Sequence, residues 1–113
     1  MKIFHNPRCS KSRETLKIIL DNNIQPDIHL YLENPLSIDE IKKILEMLGK
    51  KASDIIRKNE ETYKKLGLKK ADEDTLIKII SENPILLERP IVVSNNNAIM
   101  GRPPENVKIL FKD

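Results

Sequence analysis

The sequence has no tryptophan, only two phenylalanines, two tyrosines and one cysteine in 113 residues, and none of its apolar runs approaches the roughly 20 residues of a membrane span. Each scarcity removes a class of function. Without aromatic side chains for bases to stack on, a single-stranded nucleic-acid platform is nearly excluded. With one thiol, the chain cannot close an internal disulfide or furnish the ligand set of a structural zinc site, so no metal is expected. Only three glycines occur, and neither a Walker loop nor a dinucleotide fingerprint is present, so no bound cofactor is expected either. Met1 leads straight into a short apolar stretch instead of a signal peptide, which predicts a cytoplasmic protein in contact with neither membrane nor nucleic acid.

What the sequence does contain is charge of both signs. Twenty Lys and Arg face 17 Asp and Glu for a net +3, and the signs interleave as they do on solvated helix surfaces. A polyanionic partner is not required, although steering of a small anion is compatible with the balance. The length predicts one domain over 1–113.

The order of elements follows from periodicity. Lys2 to Phe4 read as a strand, a polar turn runs from His5 to Cys9, and a helix follows with Leu16, Ile19 and Leu20 on one face, ended by Asn22-Asn23. Ile28, Leu30 and Leu32 alternate as in a strand, and Glu33-Asn34-Pro35 is turn chemistry, so a βαβ unit with parallel strands is expected. Ser37 and Glu40 form a capping box for a helix carrying Ile41, Ile44, Leu45 and Leu48, stopped by Gly49. Helical pieces follow at Ser53 to Arg57, Glu60 to Leu66 and Asp74 to Ser81. Ile91 to Val93, the turn Asn95-Asn96-Asn97, and Ala98 to Met100 then read as a hairpin. Pro103-Pro104 opens a last helix, with Pro104 in its first turn. The sum is an α/β fold with a thioredoxin-like mixed sheet: β-α-β, a helical insertion at about 36–84, then β-β-α.

Cys9 sits where a strand gives way to a helix. The N–H groups of Ser10, Lys11 and Ser12 would there lack intrahelical partners and face the sulfur or an anion, and Arg8, Lys11, Arg13 and His5 would add positive potential. The alternative is an inert, buried small residue. Ser12, three residues on, either hydrogen-bonds the thiolate or merely occupies an exposed first turn, and His5 either supports the thiolate or caps a turn. A phosphatase-like anion loop would place arginine six positions after the cysteine, but Thr15 stands there. Guanidinium clamps must therefore come from elsewhere. Five arginines among 20 basic residues single out Arg57 in the helical insertion and Arg89 and Arg102 beside prolines, although each by itself fits an ordinary surface salt bridge.

The segments HNPRCSKSRETL, YLENP, IIRKN, NPILLERPIVV and GRPPENV, in this order, together resemble the glutaredoxin-coupled arsenate reductase family. The resemblance implies that Cys9 attacks arsenate and forms a thiolate-arsenate adduct, which glutathione as co-substrate and glutaredoxin as partner carry to arsenite. It implies that Arg57, Arg89 and Arg102 bind the oxyanion, that His5 and Ser12 stabilise the thiolate, and that Pro90 is a cis proline. Two other functions fit a similar sequence: a redox regulator that binds RNA polymerase, and a monothiol transferase acting on glutathione mixed disulfides. Such regulators carry Cys-x-x-Cys, and Ser12 occupies the second cysteine's place.

Overall fold

A computed structural model describes residues 1–111; Lys112 and Asp113, the end of the expected domain, lie outside the described residues. The chain divides into two compact units, Met1–Asn34 with Arg89–Asp113, and Pro35–Glu88.

The first unit is an α/β layer. Strands β1 (Lys2–His5), β2 (Asp27–Leu30), β3 (Ile91–Ser94) and β4 (Asn97–Met100) form a sheet of order β2-β1-β3-β4. Helix α1 (Ser10–Asp21) connects β1 to β2, which pair in parallel, and β3 is antiparallel to both β1 and β4. This is the expected mixed sheet. The hairpin turn is tighter than the run of asparagines implied, since Asn97 already pairs with Ser94, and Asn95 takes the left-handed conformation (φ 56°) that asparagine tolerates best after glycine.

Alternation along the strands builds the core. Ile3 and Val92, opposite each other in the sheet, are fully buried with Ile19 of α1 and Val107 of a 3₁₀ helix over Pro104–Phe111. Leu16, Ile18, Ile99 and Leu110 pack around these four. Each such burial contributes about 1.5–3 kcal/mol.

Two apolar assignments shift. Leu20 is 42% exposed, and Ser12, Thr15 and Ile19 form the buried stripe of α1. The positions i, i+3 and i+7 share a face, and Leu20 lies about 100° round from Ile19. Ile28 is 50% exposed on the edge strand, and Leu32 lies beyond it, because the Glu33 and Asn34 N–H groups close a turn on the Leu30 carbonyl at 3.0 and 2.9 Å. The fully buried side chain there is Tyr31.

The second unit is helical. Its helices are α2 (Ile38–Leu48), α3 (Ala52–Ile55), α4 (Glu61–Lys65) and α5 (Glu73–Glu82). The Ser37–Glu40 capping box is formed in both directions, at 3.1 and 3.0 Å, and Gly49 ends α2 at φ 65°. Helices α2 and α3 pack on α5, burying Ile41, Ile44, Ile55, Leu76 and Ile80. Arg57 falls outside the helix expected to contain it, because Ile56 bridges Leu87 and the Arg57 N–H donates to the Leu86 carbonyl at 2.7 Å. The unit runs to Glu88, four residues past the expected end of the insertion. No helix among the described residues is long and apolar enough to cross a membrane.

One seam in the first unit admits no side chain. Gly101 donates its N–H to the Pro90 carbonyl at 2.9 Å, and a Cβ on it would lie 2.6 Å from Thr15 Oγ1 and 2.7 Å from Pro90 Cγ. Both neighbours are held, Thr15 by donating to the Lys11 carbonyl at 2.8 Å and Pro90 by its ring and its place before β3. Gly101→Ala is therefore expected to destabilise the protein by about 1–3 kcal/mol through overpacking. Denaturant unfolding measures this, and an unchanged midpoint would show that the seam opens without strain.

Candidate active site

The residues from His5 to Cys9 fold back on themselves before α1 begins. Asn6, only 5% exposed, holds the turn at three points. Its Oδ1 accepts from the Arg8 N–H at 3.0 Å, its carbonyl accepts from the Cys9 N–H at 3.0 Å, and its own N–H donates to Ser12 Oγ at 3.0 Å. This is the local turn chemistry that Asn before Pro favours. The Arg13 guanidinium braces the outside by donating to the Pro7 carbonyl at 2.9 Å. Cys9 thus becomes the N-cap of α1 in extended conformation.

The sulfur occupies the position where a capping oxygen would sit. Burial pushes the Cys9 thiol up, but several donors outweigh it: the Ser12 backbone N–H, a hydrogen bond and the positive charge of the Arg89 side chain, and the Lys11 backbone N–H. The net result lies below the ordinary cysteine value. Two of these donors are orphan amides of a helix start, which cost nothing to orient because the helix already fixes them.

The structure redistributes the expected roles. The Ser12 side chain is fully buried and its Oγ bonds His5 Nδ1 at 2.6 Å and receives the Asn6 N–H at 3.0 Å, while the group of Ser12 that lowers the Cys9 thiol is its backbone N–H. Burial first, and the Arg13 charge second, hold His5 below its ordinary value, so the imidazole is neutral near pH 7 and adds no positive potential. Arg8, Lys11 and Arg13 are exposed, and their side-chain charges are not among the causes that lower Cys9. Arg89 is the cation that does.

Arg89 and Pro90 lie just before β3, with a cis peptide bond between them. Arg102 joins them from the other side of the hairpin: its Nη1 donates to the Arg89 carbonyl at 3.0 Å, and its own bond to Pro103 is also cis, which the sequence reading did not anticipate. Cys9, Arg89, Pro90 and Arg102 all belong to the first unit. Arg57 belongs to the second, where its Nε bonds Glu60 at 3.2 Å and its Nη1 bonds Glu88 at 3.1 Å. No cluster of metal-ligating side chains occurs among the described residues.

Sequence reasoning missed Asn6, Thr15 and Gly101. The Asn-Pro pair was a turn signal that pointed to Asn6. Nothing local marks Gly101, because its constraint comes from Thr15, 86 residues away.

The arrangement is a nucleophile with a lowered pKa, fixed amide donors and an adjacent guanidinium. It is suited to attack on an electrophilic oxyanion centre.

Comparison with known proteins gives one answer. The sequence profile of the ArsC family matches residues 4–110. An uncharacterized protein of Escherichia coli K12 is 46% identical, over 95% of this chain and 92% of its own. An arsenate reductase of Haemophilus influenzae is 45% identical over 93% of each. The solved structure of an arsenate reductase from Vibrio cholerae superposes with a TM-score of 0.92 at 43% identity, covering 96% of this chain and 94% of the other.

The alkylation rate of Cys9 should follow a titration with its midpoint below the free-thiol value of about 8.5. Arg89→Gln removes one hydrogen bond and one charge and should move the midpoint up, whereas His5→Ala should slow labelling only by loosening Ser12. A midpoint at or above the free value in the unmodified protein would refute the activated thiolate.

Proposed function

The chain belongs to the ArsC family, and from that membership and the site around Cys9 we propose that it reduces arsenate to arsenite with glutathione and glutaredoxin as the source of electrons. The observation that carries the reading is the lowered Cys9 thiol held by the Ser12 and Lys11 amides and by Arg89. Arsenate reductases are also what the Haemophilus influenzae and Vibrio cholerae relatives are named.

In the proposed cycle the Cys9 thiolate attacks arsenic and one arsenate oxygen leaves as water, giving a Cys9 sulfur–arsenic bond. The glutathione sulfur then attacks Cys9 Sγ. The sulfur–arsenic electron pair departs with arsenic, which leaves as arsenite, and a Cys9–glutathione disulfide remains. Glutaredoxin takes the glutathionyl group and regenerates the Cys9 thiolate, so the two electrons come from outside thiols. The single cysteine of the sequence supports this external route, since no second thiol is present to close a disulfide.

Arg89 and Arg102 are proposed to hold the oxyanion by planar two-point hydrogen bonding. The family resemblance adds Arg57. His5 acts through Ser12 as a positioning residue, and Ser12 as a backbone donor whose side chain fixes the turn.

Two measurements test the reading. Arsenite release should need both glutathione and a glutaredoxin, and Cys9→Ser should abolish it while the unfolding transition persists; full turnover with thioredoxin alone would overturn the monothiol route. Lysine at Arg57, Arg89 or Arg102 keeps the charge but loses the fork, and should lower turnover about tenfold or more at each position that binds the oxyanion. Unaltered kinetics at a position would remove that arginine from the set.

A further inference from the structure

A cleft of about 320 Å³ opens beside the cysteine turn, walled by His5–Arg8 on one side and by Leu30, Leu32 and Glu33 on the other. We propose that this cleft seats the reducing thiol, the tripeptide glutathione, with Asn6, Arg8 and Glu33 reading its polar groups. The inference deepens the arsenate-reductase reading and rests on it for the identity of the thiol.

Position is the first argument. A thiol that must reach Cys9 Sγ has to be held against the turn that carries it. Four consecutive residues ahead of Cys9 wall this cleft, and the Cys9 N–H is fixed to one of them, the Asn6 carbonyl, at 3.0 Å.

Charge is the second. Glutathione carries two carboxylates and one ammonium, joined by two amides. The cleft presents a guanidinium at Arg8 and a carboxylate at Glu33, both exposed and neither in an ion pair among the described residues. A wall with both signs fits a zwitterion. It does not fit arsenate, which Glu33 would repel, so oxyanion and co-substrate would be taken up by different surfaces around one sulfur.

Asn6 is the third. It is 5% exposed, and its Oδ1 is committed to the Arg8 N–H, but the carboxamide Nδ2 takes part in none of the turn's hydrogen bonds. Asn6 Nδ2 is not among the buried side-chain atoms that lack a partner, so its two N–H donors open to solvent, where a ligand in the cleft can take them. A peptide carbonyl or carboxylate in the cleft satisfies them. Pro7 and Leu32, both exposed, supply apolar surface for the methylene chain of the γ-glutamyl arm.

The test uses S-methylglutathione, which cannot react, titrated into the ¹⁵N-labelled full chain. Amide shifts should concentrate at residues 6–8 and 30–33, and Arg8→Glu and Glu33→Lys should each weaken binding roughly tenfold. In turnover, Glu33→Lys should raise KM for glutathione by a similar factor without slowing alkylation of Cys9. Absence of binding at millimolar probe, or shifts centred on Arg89, Pro90 and Arg102, would overturn the proposal. So would an equal rise in KM for arsenate and glutathione, which marks distortion of the turn. If the chain reduced no arsenate under any condition, the functional reading would fall, and the probe titration would still decide the cleft.

Discussion

The structure around Cys9 depends on the absence of a side chain at Gly101. Because no Cβ stands there, the Pro90 ring and the Thr15 side chain both close on the same glycine, at what would be 2.7 and 2.6 Å from a methyl group. That closeness ties the middle of α1 to the turn into β3. The start of α1 carries the amide donors, and the turn into β3 carries Arg89. A residue bearing a Cβ would have to separate them, and the guanidinium's contribution to the thiolate would fall with the distance. The Gly101 N–H to Pro90 carbonyl bond and the Arg102 to Arg89 carbonyl bond, at 2.9 and 3.0 Å, hold the same turn from the hairpin side. The geometry of the site is thus a consequence of packing at one position that never touches the sulfur.

The site stabilises an anion with fixed amide dipoles and one guanidinium. Three exposed cations near the cysteine in sequence do not contribute to lowering its pKa, as expected where solvent and salt screen them. The charge that counts is on Arg89, brought in from 80 residues away by the antiparallel pairing of β1 and β3. His5, kept neutral by burial, completes an inward network with Ser12 and Asn6 that costs little electrostatically and leaves the Ser12 and Lys11 amides pointing at the sulfur. A protonated imidazole in the same place would have to be buried as a cation.

Much of this was legible in the sequence, and the reasons are local. The capping box at Ser37–Glu40, the Gly49 stop, the parallel βαβ pair and the hairpin all follow from signals within a few residues, and the structure contains each of them. The errors also have a local cause. Leu20 shares the apolar face of Leu16 and Ile19 by periodicity, which identifies a face but not its centre, and the centre of α1's buried face begins with polar Ser12 and Thr15 because it borders the cysteine turn. Ser12 was recognised as a site residue from its spacing, yet spacing cannot separate what its backbone does from what its side chain does. Gly101 required a tertiary neighbour to be seen.

A lowered thiol pKa serves the proposed cycle at more than one step, which is a reason for the structure to favour amides over a general base. A thiolate of low pKa is somewhat less nucleophilic than a basic one, but far more of it is present near neutral pH, so attack on arsenic gains on balance. In the closing step Cys9 is the leaving group, and a thiol that leaves as a stabilised thiolate leaves faster. A general base would promote the first step by taking a proton, and would then have to give that proton up before the last. The Ser12 and Lys11 N–H groups carry no proton that needs to move, and Arg89 stays charged throughout. The same donors can therefore stabilise the sulfur as it attacks and again as it departs, with no change in the protonation of the protein between the two events.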